Sequence, residues 1–249
     1  MSKAEAEKPW FEGWFDSQYY HILYHKRNEE EAARFISRLY SKLNPQTGSR
    51  ALDLACGKGR HSVELNKLGL DVTGIDLSPS SIETASGLAK SGLEFYVHDM
   101  RRPFRIRYYD LVFNLFTSFG YFNHERENRS VLESVYKGLK PGGRLVIDFF
   151  NAECVCAAIG SGKTYTETAG GIDFSIQKNT DGKFVHKYIS FTDKGIDYRF
   201  REQVQLLRLQ DFSNLMNDLF EVTDIFGDYE LNAFDEKVSS RLILIARKR

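Results

Sequence analysis

The sequence predicts an α/β fold built on a mostly parallel sheet, and three observations support this prediction. Short apolar runs that end in polar residues alternate with helical segments between residues 50 and 150, as in sheets covered by helices on both faces. Gly57 and Gly59 directly follow the first of these runs. After Asn151 the pattern changes to short β-rich runs separated by glycine-containing turns, which predicts an antiparallel insertion.

The bulk composition is that of an ordinary globular protein. At 249 residues the chain is long enough for one α/β domain with an insertion, or for two small domains. Its hydrophobic share of 42% supports a packed core. Lys plus Arg and Asp plus Glu both total 34, so no overall field attracts nucleic acid or an anionic membrane.

Cysteine usage and hydropathy indicate the compartment. Cys56, Cys154 and Cys156 make no disulfide framework, which predicts a reducing environment. Cys154 and Cys156 lack a second ligand pair at zinc spacing, so we expect no metal site. No apolar run approaches the roughly 18 residues of a membrane span, and Met1–Pro9 lacks the apolar region of a signal peptide. The expected location is the cytoplasm, without a membrane partner.

The residues before the glycine pair are rich in aromatic side chains and are predicted to be largely helical. The charged segment 1–9 is expected to be loose. The aromatic stretch Trp10–Phe15 either packs against the core or lies over a ligand as a lid. Asn28 is predicted to cap a helix, with Glu31 placed as in a capping box and Asn44-Pro45 ending it. The apolar face of this helix comprises Ala32, Phe35, Ile36, Leu39, Tyr40 and Leu43.

A strand, a glycine turn and a helix follow. The apolar run 51–55 predicts a buried strand, and His61–Leu68 predicts a helix that stops at Gly69. Between them, Gly57 and Gly59 allow the backbone to approach a nucleotide-like ligand. Two spaced glycines alone also fit an ordinary tight turn.

The next unit favours the ligand-binding interpretation. Asp71–Asp76 predicts a second strand that ends in an acid, about the right distance beyond the glycines for a carboxylate that binds ribose hydroxyls. Ser78 followed by Pro79 predicts a helix start. Ser62 stands where a dinucleotide site has its third glycine, and this disfavours NAD.

Three further strands complete the predicted parallel part of the sheet. Leu93–Val97 is the third strand and Tyr109–Phe116 the fourth. Because ligands collect at the carboxyl ends of parallel strands, Asn114–Tyr121 is expected to form the floor of the active site. A helix is predicted over His124–Lys140, and Leu139–Gly143 is expected to turn into the strand Arg144–Phe150.

The insertion and the C-terminal part are predicted from turn signals and apolar runs. An antiparallel insertion of three or four strands is expected from the β-rich runs Thr164–Thr168, Ile172–Lys178, Phe184–Thr192 and Ile196–Leu207. Asp211 opens a short helix, and Phe220–Glu230 with Arg241–Arg247 are the last two strands.

The motifs Leu52–Gly59, Gly74–Ser78 and Leu139–Gly143 resemble those of the class I S-adenosylmethionine-dependent methyltransferases. Ala55 stands where the commonest form of the first motif has a glycine. The resemblance covers residues 50–150. It implies a Rossmann-like methyltransferase fold, with a seven-stranded, mostly parallel sheet, an antiparallel last strand and the small antiparallel β insertion.

The resemblance also implies how the chain divides. We expect an N-terminal helical cap over residues 1–45 and a cofactor-binding core over 46–150. The β insertion occupies 151–208, and residues 209–249 complete the core sheet. Insertions at this place often face the substrate in the family, although a second layer with no role in the site is the alternative.

By the same resemblance the cofactor is S-adenosyl-L-methionine, with S-adenosyl-L-homocysteine as the product. Gly57 and Gly59 would lie near its methionine moiety, and Asp53 would orient that loop or reach the amino group through water. Asp76 would bind the ribose, and Asp99 the adenine amino group. The implied cofactor-binding residues are Asp53, Ala55, Gly57, Gly59, Asp76, Leu77, Asp99, Met100, Asn114 and Tyr20.

Methyl transfer from a sulfonium has a good leaving group, so the reaction does not require a dedicated catalytic residue. None is evident from the sequence. A general base is needed only where the acceptor must lose a proton. Candidates to orient an acceptor are Tyr20, Asn114, Ser118, Tyr121 and His124. Residues of the cap that could contact the cofactor are Tyr19, Tyr20, Tyr24 and Arg27. For His61 we expect capping or packing.

The leading hypothesis is a methyltransferase for a small-molecule acceptor, acting as a monomer or homodimer. The sequence after the fourth strand is not the Asn-Pro-Pro-Tyr of enzymes that methylate planar amino groups. An RNA or protein methyltransferase is the second hypothesis; its basic face would come from Arg101, Arg102, Arg105, Arg107, Lys137 and Lys140. A non-catalytic cofactor-binding protein is the third, and an NAD-dependent oxidoreductase is a distant fourth.

Overall fold

The computed structural model describes residues 10–24 and 29–249. The chain divides into two compact units. The smaller unit combines the described N-terminal residues with Ile159–Val204, and the larger unit holds the other described residues. The segment 1–9, Arg27 and the predicted cap Asn28 lie outside the described residues. The four domain boundaries expected from the sequence stay predictions.

The elements alternate along the chain much as the sequence predicts. In chain order they are α1 (Trp10–Phe15), α2 (Gln18–Leu23), α3 (Glu29–Leu43), β1 (Arg50–Leu54), α4 (Arg60–Lys67), β2 (Asp71–Asp76), α5 (Pro79–Ser86), β3 (Leu93–Val97), β4 (Tyr109–Asn114), α6 (Glu125–Gly138), β5 (Leu139–Phe150), α7 (Ala152–Ile159), β6 (Lys163–Ala169), β7 (Ile172–Thr180), β8 (Phe184–Asp193), β9 (Ile196–Gln205), α8 (Leu209–Met216), β10 (Phe220–Phe226) and β11 (Arg241–Lys248).

A seven-stranded sheet forms the centre of the larger unit and confirms the predicted fold class. Its strand order is β10-β11-β5-β4-β1-β2-β3. The five strands from β3 to β5 are parallel to one another, and the last strand, β11, runs antiparallel to both β5 and β10. The carboxyl ends of β4, β1, β2 and β3 therefore lie side by side at one edge of the sheet.

Local sequence explains where the helices of this unit begin and what they bury. The Ser78 hydroxyl accepts a hydrogen bond from the Ser81 N–H at 3.1 Å, and Pro79 is the first residue of α5, as predicted. Helix α3 buries the apolar stripe that its periodicity predicts. The fully buried members of that stripe are Ala32, Phe35, Ile36, Leu39 and Leu43.

β4 ends at Asn114 rather than Phe116, and β10 ends at Phe226 rather than Glu230. Two other stretches of the larger unit also differ from the sequence prediction. The predicted turn at Leu139 belongs to β5, because Leu139 pairs with Tyr109 before the register shifts and Arg144 pairs with Leu111. The intervening residues bulge out of the ladder, with Gly142 at a φ of 72°. Helix α7 was not predicted, since its eight residues are too few for a clear apolar period.

The smaller unit packs helices α1 and α2 on one face of the antiparallel sheet β6-β7-β8-β9. Trp14 is 1% exposed, and its indole N–H donates to Glu202 at 2.6 Å. Tyr19 donates to Asp193 at 2.9 Å, and its ring packs at a tilt against Phe191, with the ring centroids 4.6 Å apart. The aromatic N-terminal stretch therefore packs in the hydrophobic core of this unit.

No helix among residues 10–24 and 29–249 combines the length and the apolar character that a membrane span requires. Within the same residues, no group of three or more His, Cys, Asp or Glu side chains is arranged to hold a metal ion.

Candidate functional site

The turn between β1 and α4 has an unusual backbone. Gly57 and Gly59 have φ angles of 55° and 83°, which glycine adopts without strain. Ala55 has a φ of 57°, which explains why the commonest form of this motif has a glycine there. The Gly59 N–H closes the turn on the Cys56 carbonyl at 3.0 Å.

The two glycines have different surroundings. Apart from Gly57 and its two chain neighbours, no described residue has a heavy atom within 4 Å of the position that a Cβ would take on Gly57. A Cβ on Gly59 would come within 2.7 Å of the Phe95 ring and 3.3 Å of Ala85. Gly57 therefore leaves open space that a ligand can use, whereas Gly59 allows the turn to pack closely on the core.

We expect Gly59→Ala to destabilise the protein by about 2–4 kcal/mol, because it adds a clash in the core to the cost of a left-handed alanine. Gly57→Ala, with open space around the new Cβ, should cost only about 1 kcal/mol. Urea denaturation of both variants measures the difference. Equal costs would show that the Phe95 ring moves aside freely.

The Asp76 carboxylate joins the turn to the end of β2. One of its oxygens accepts from the Gly57 N–H at 2.8 Å, and the other accepts from the Ser78 N–H at 2.8 Å. Asp76 is half-buried, so the carboxylate remains within reach of a ligand. The structure thus brings Asp76 and the glycine turn together, as the sequence predicts.

Asp53 lies beneath the same turn and is 1% exposed. It accepts a hydrogen bond from the Ser62 hydroxyl at 2.6 Å, which connects β1 to the first turn of α4. Burial raises the pKa of the Asp53 carboxyl to about 7, although the Ser62 hydrogen bond opposes the shift. Its arrangement fits the predicted role in orienting the loop.

This raised pKa predicts a dependence of stability on pH. The folded protein keeps the Asp53 proton between pH 4 and about 7, where the unfolded chain has released it. Stability therefore falls as the pH rises through this window, by up to about 1.4 kcal/mol per pH unit from this group, and the loss is complete above it. Relative to wild type, Asp53→Asn should gain stability across the window. Urea denaturation at pH 5, 6 and 7.5 tests this, and a constant difference would contradict it.

Asp99 follows β3 and forms a close ion pair with Arg101. The Arg101 guanidinium donates to both carboxylate oxygens at 2.8–3.1 Å, and its backbone N–H donates to one of them at 2.9 Å. Burial alone would raise the pKa of Asp99, but the Arg101 hydrogen bonds outweigh it and lower the pKa. Asp99 is therefore an ionised acceptor at the sheet edge, and Met100 and Leu77 are half-buried at the same edge.

Asn114 ends β4 and is 1% exposed. Its side-chain amide nitrogen donates to the carbonyls of Leu54 and Ser118, both at 3.3 Å. These two acceptors fix which amide atom is the nitrogen. The Oδ1 atom is buried and has no hydrogen-bond partner among the residues that the structure describes. Buried polar atoms are usually paired, so this oxygen is a candidate acceptor for a ligand N–H or O–H group.

The other predicted catalytic candidates of this unit have local structural contacts. The Ser118 hydroxyl donates to the Leu115 carbonyl at 2.9 Å, and the Tyr121 hydroxyl donates to the Thr117 carbonyl at 2.6 Å. His124 is exposed and precedes α6, where its backbone N–H donates to the Glu127 side chain at 3.3 Å. Their catalytic roles stay predictions.

Tyr20 belongs to the smaller unit. Its ring contacts the aromatic rings of Trp14, Phe15, His21 and Tyr24. The described contacts of Tyr20 are thus those of a packed aromatic cluster, and its role toward cofactor or acceptor stays a prediction.

Two charged residues of the site region were missed by the sequence reasoning. Asp148, in β5, is 0% exposed and forms an ion pair with Arg241, the first residue of β11. The one available signal was an acid inside the apolar run Leu145–Phe150, since a charge inside a buried strand needs a partner. The partner itself was not predictable, because it lies far along the chain.

The strand order, with a glycine turn after β1 and an acid at the end of β2, defines a class I methyltransferase type of α/β protein. A family model described as "Methyltransferase domain" matches residues 45–203, more than half of the chain. The chain belongs to this family, and its resemblance to the class I S-adenosylmethionine-dependent methyltransferases is confirmed.

Individual proteins agree with this assignment. The chain is 28% identical to a ubiquinone biosynthesis O-methyltransferase of Schizosaccharomyces pombe, over 57% of this chain and 51% of that protein. It is 28% identical to a glycine/sarcosine N-methyltransferase of Parasynechococcus marenigrum, over 84% of this chain and 74% of that protein. The chain thus spans about half the length of the first relative and about three-quarters of the second.

A solved structure shows the same fold. An S-adenosylmethionine-dependent methyltransferase from Clostridium acetobutylicum superposes with a TM-score of 0.77 at 18% identity. The superposition covers 92% of this chain and 96% of that one.

Proposed function

We propose that this protein transfers a methyl group from S-adenosylmethionine to a small-molecule acceptor and releases S-adenosylhomocysteine. The observation that supports it most is the arrangement at the carboxyl ends of β1 and β2. There the Asp76 carboxylate accepts a hydrogen bond from the Gly57 N–H at 2.8 Å. The space around Gly57 where a Cβ would lie is open. A close backbone approach next to a ribose-binding carboxylate is what a nucleoside cofactor requires.

The residues at this edge fit the cofactor. Asp76 supplies carboxylate oxygens for ribose hydroxyls, and Gly57 leaves room for the amino-acid end. Leu77 and Met100 offer apolar surface to a base, and Asp99 is an ionised acceptor beside them. When bound, S-adenosylmethionine supplies an electrophilic methyl group on a sulfonium centre.

The chain's own contribution to catalysis is positioning. Holding two reactants in line at a near-attack distance is worth up to about 7–11 kcal/mol of the barrier. Asn114 lies at the end of β4, and its Oδ1, which has no partner in the described part of the chain, can accept a hydrogen bond from an N–H or O–H donor. An acceptor that is already nucleophilic needs no general base, so this arrangement is sufficient for such a molecule.

Ion pairing of three of the six basic candidates, Arg101, Arg105 and Lys140, favours a small acceptor over RNA. Arg101 bonds to Asp99 and Glu127 at 2.8 Å, and Arg105 bonds to Glu94 at 2.7 Å. Lys140 bonds to Asp110 at 2.7 Å. These cations are neutralised within the protein, which weakens any attraction for phosphates. The two named relatives are an O-methyltransferase of ubiquinone biosynthesis and an N-methyltransferase of glycine and sarcosine, which supports an acceptor of similar size.

Thermal unfolding with S-adenosylmethionine, S-adenosylhomocysteine and NAD tests the cofactor. A ligand at 100 times its Kd stabilises a one-site protein by about 2.7 kcal/mol. We expect both methionine-derived ligands to raise the Tm and NAD to leave it unchanged. A shift with NAD alone, or with none of the three, would contradict the proposal.

Turnover is tested by measuring formation of S-adenosylhomocysteine with a panel of small amines and phenols and with bulk RNA. We expect turnover with a member of the small-molecule panel. Cofactor binding without turnover on any acceptor would favour a non-catalytic protein, and turnover confined to RNA would favour the second hypothesis. The cytoplasmic location and the monomeric or homodimeric state stay predictions.

A further inference from the structure

Two consecutive residues after β4 have a strained backbone. Phe116 and Thr117 both have a φ of 61°, in the left-handed region that residues with a side chain rarely adopt. For Thr117, a β-branched residue, this conformation is a genuine outlier. Such strain persists only where the surroundings enforce it, and it is concentrated at functional sites. We call Phe116 and Thr117 the β4 corner.

The buried ion pair Asp148–Arg241 is hydrogen-bonded to both residues of the β4 corner. The Phe116 N–H donates to the Asp148 carboxylate at 2.8 Å, and the Thr117 N–H donates to the Asp148 backbone carbonyl at 2.9 Å. The Arg241 guanidinium donates to Asp148 at 2.7 Å and to the Thr117 hydroxyl at 3.0 Å. The Tyr121 hydroxyl donates to the Thr117 carbonyl at 2.6 Å. The Tyr229 hydroxyl also donates to the Asp148 carboxylate, at 3.3 Å. Six hydrogen bonds of one small network therefore involve the corner or Asp148.

The β4 corner in turn contacts the start of α4. The Arg60 guanidinium lies 5.2 Å from the centroid of the Phe116 ring, within the range of a cation–π contact. The His61 ring lies 6.3 Å from the same ring. Arg60 and His61 directly follow Gly59 and are the first two residues of α4. The network thus reaches from β5 and β11 to the glycine turn.

We propose that Asp148 and Arg241 are positioning residues for the methyl-transfer site. They hold the β4 corner in its left-handed conformation, and the corner holds the start of α4 through Phe116. The inference rests on the proposed function, since it assigns these residues to the cofactor turn of that same site. Neither residue is assigned a contact with the reacting atoms.

The first test is calorimetric titration with S-adenosylhomocysteine. We expect Asp148→Asn to weaken binding at least 10-fold. Asp110→Asn is the matched control, because Asp110 also lies in this sheet, pairs with Lys140 and accepts from the Arg50 N–H, but at the opposite end of β4. Its affinity should stay within two-fold of wild type. Failure of the wild type to bind would overturn the proposed function itself, whereas equal binding by wild type and Asp148→Asn would overturn only this inference.

A glycine substitution separates positioning from general destabilisation. Glycine adopts a φ of 61° without strain, so Thr117→Gly should let the corner form with less help from Asp148. Asp148→Asn combined with Thr117→Gly should therefore recover at least three-fold of the lost affinity. Where Asp148→Asn alone does not fold, because Arg241 is left buried without its partner, Asp148→Asn with Arg241→Gln replaces it in both comparisons. No recovery by the glycine variant would overturn the inference.

Discussion

Asp76→Ala is expected to weaken binding of S-adenosylhomocysteine about 100-fold. The carboxylate accepts hydrogen bonds from the Gly57 and Ser78 N–H groups, both at 2.8 Å. It is also the group that we propose binds the ribose. Hydrogen bonds to charged groups contribute about 1.5–3 kcal/mol each, and a loss of about 2.7 kcal/mol corresponds to 100-fold. The alanine variant loses both the ligand contact and the acceptor that fixes the Gly57 amide.

Asp71→Ala is the matched control for this prediction. Asp71 begins the same strand that Asp76 ends, and it is also half-buried, so the two variants remove the same group from opposite ends of β2. Calorimetric titration of both variants, with urea denaturation to compare their stability, measures the effect. If Asp71→Ala and Asp76→Ala weaken binding equally, Asp76 acts through the stability of β2, and the ribose assignment is wrong.

The central sheet could be predicted because its signals are local. β1 and β4 are buried over almost their whole length, so they appear in the sequence as mostly apolar runs, each interrupted by one acid, Asp53 or Asp110. Gly57 and Asp76 follow such runs directly, and the strand ends bring them together at 2.8 Å. Ser78 and Pro79 likewise predicted the start of α5 correctly, because a helix cap depends only on neighbouring residues.

The rest of the site depends on contacts between distant parts of the chain. Nothing in the sequence near Phe116 and Thr117 indicates a left-handed backbone, since their hydrogen-bond partners Asp148 and Arg241 lie in two other strands. The bulge after Leu139 arises in the same way, from the register between β4 and β5. A family resemblance does not predict such features unless they belong to its motifs.

One substitution can separate the contribution of Asn114 to stability from the proposed contact of its Oδ1 with a ligand. We expect Asn114→Leu to change the free energy of unfolding by no more than about 1–2 kcal/mol. The substitution removes two long hydrogen bonds of 3.3 Å, but it also removes a buried oxygen that has no partner among the described residues. Removal of this oxygen offsets part of the cost of leaving the Leu54 and Ser118 carbonyls without their amide donor.

The same substitution should nevertheless reduce the rate of methyl transfer, or the affinity for S-adenosylhomocysteine, at least 10-fold. A ligand donor that bonds to Oδ1 would be left buried without an acceptor, which costs about 1–3 kcal/mol. Asn128→Leu is the control, since Asn128 is 0% exposed and its Oδ1 likewise has no partner among the described residues, but it lies in α6 rather than at a strand end. Urea denaturation measures the stability of both variants, and calorimetric titration with S-adenosylhomocysteine measures their affinity. A loss of binding confined to Asn114→Leu would mark its oxygen as a ligand contact, whereas unchanged binding and turnover would make that oxygen a tolerated packing defect.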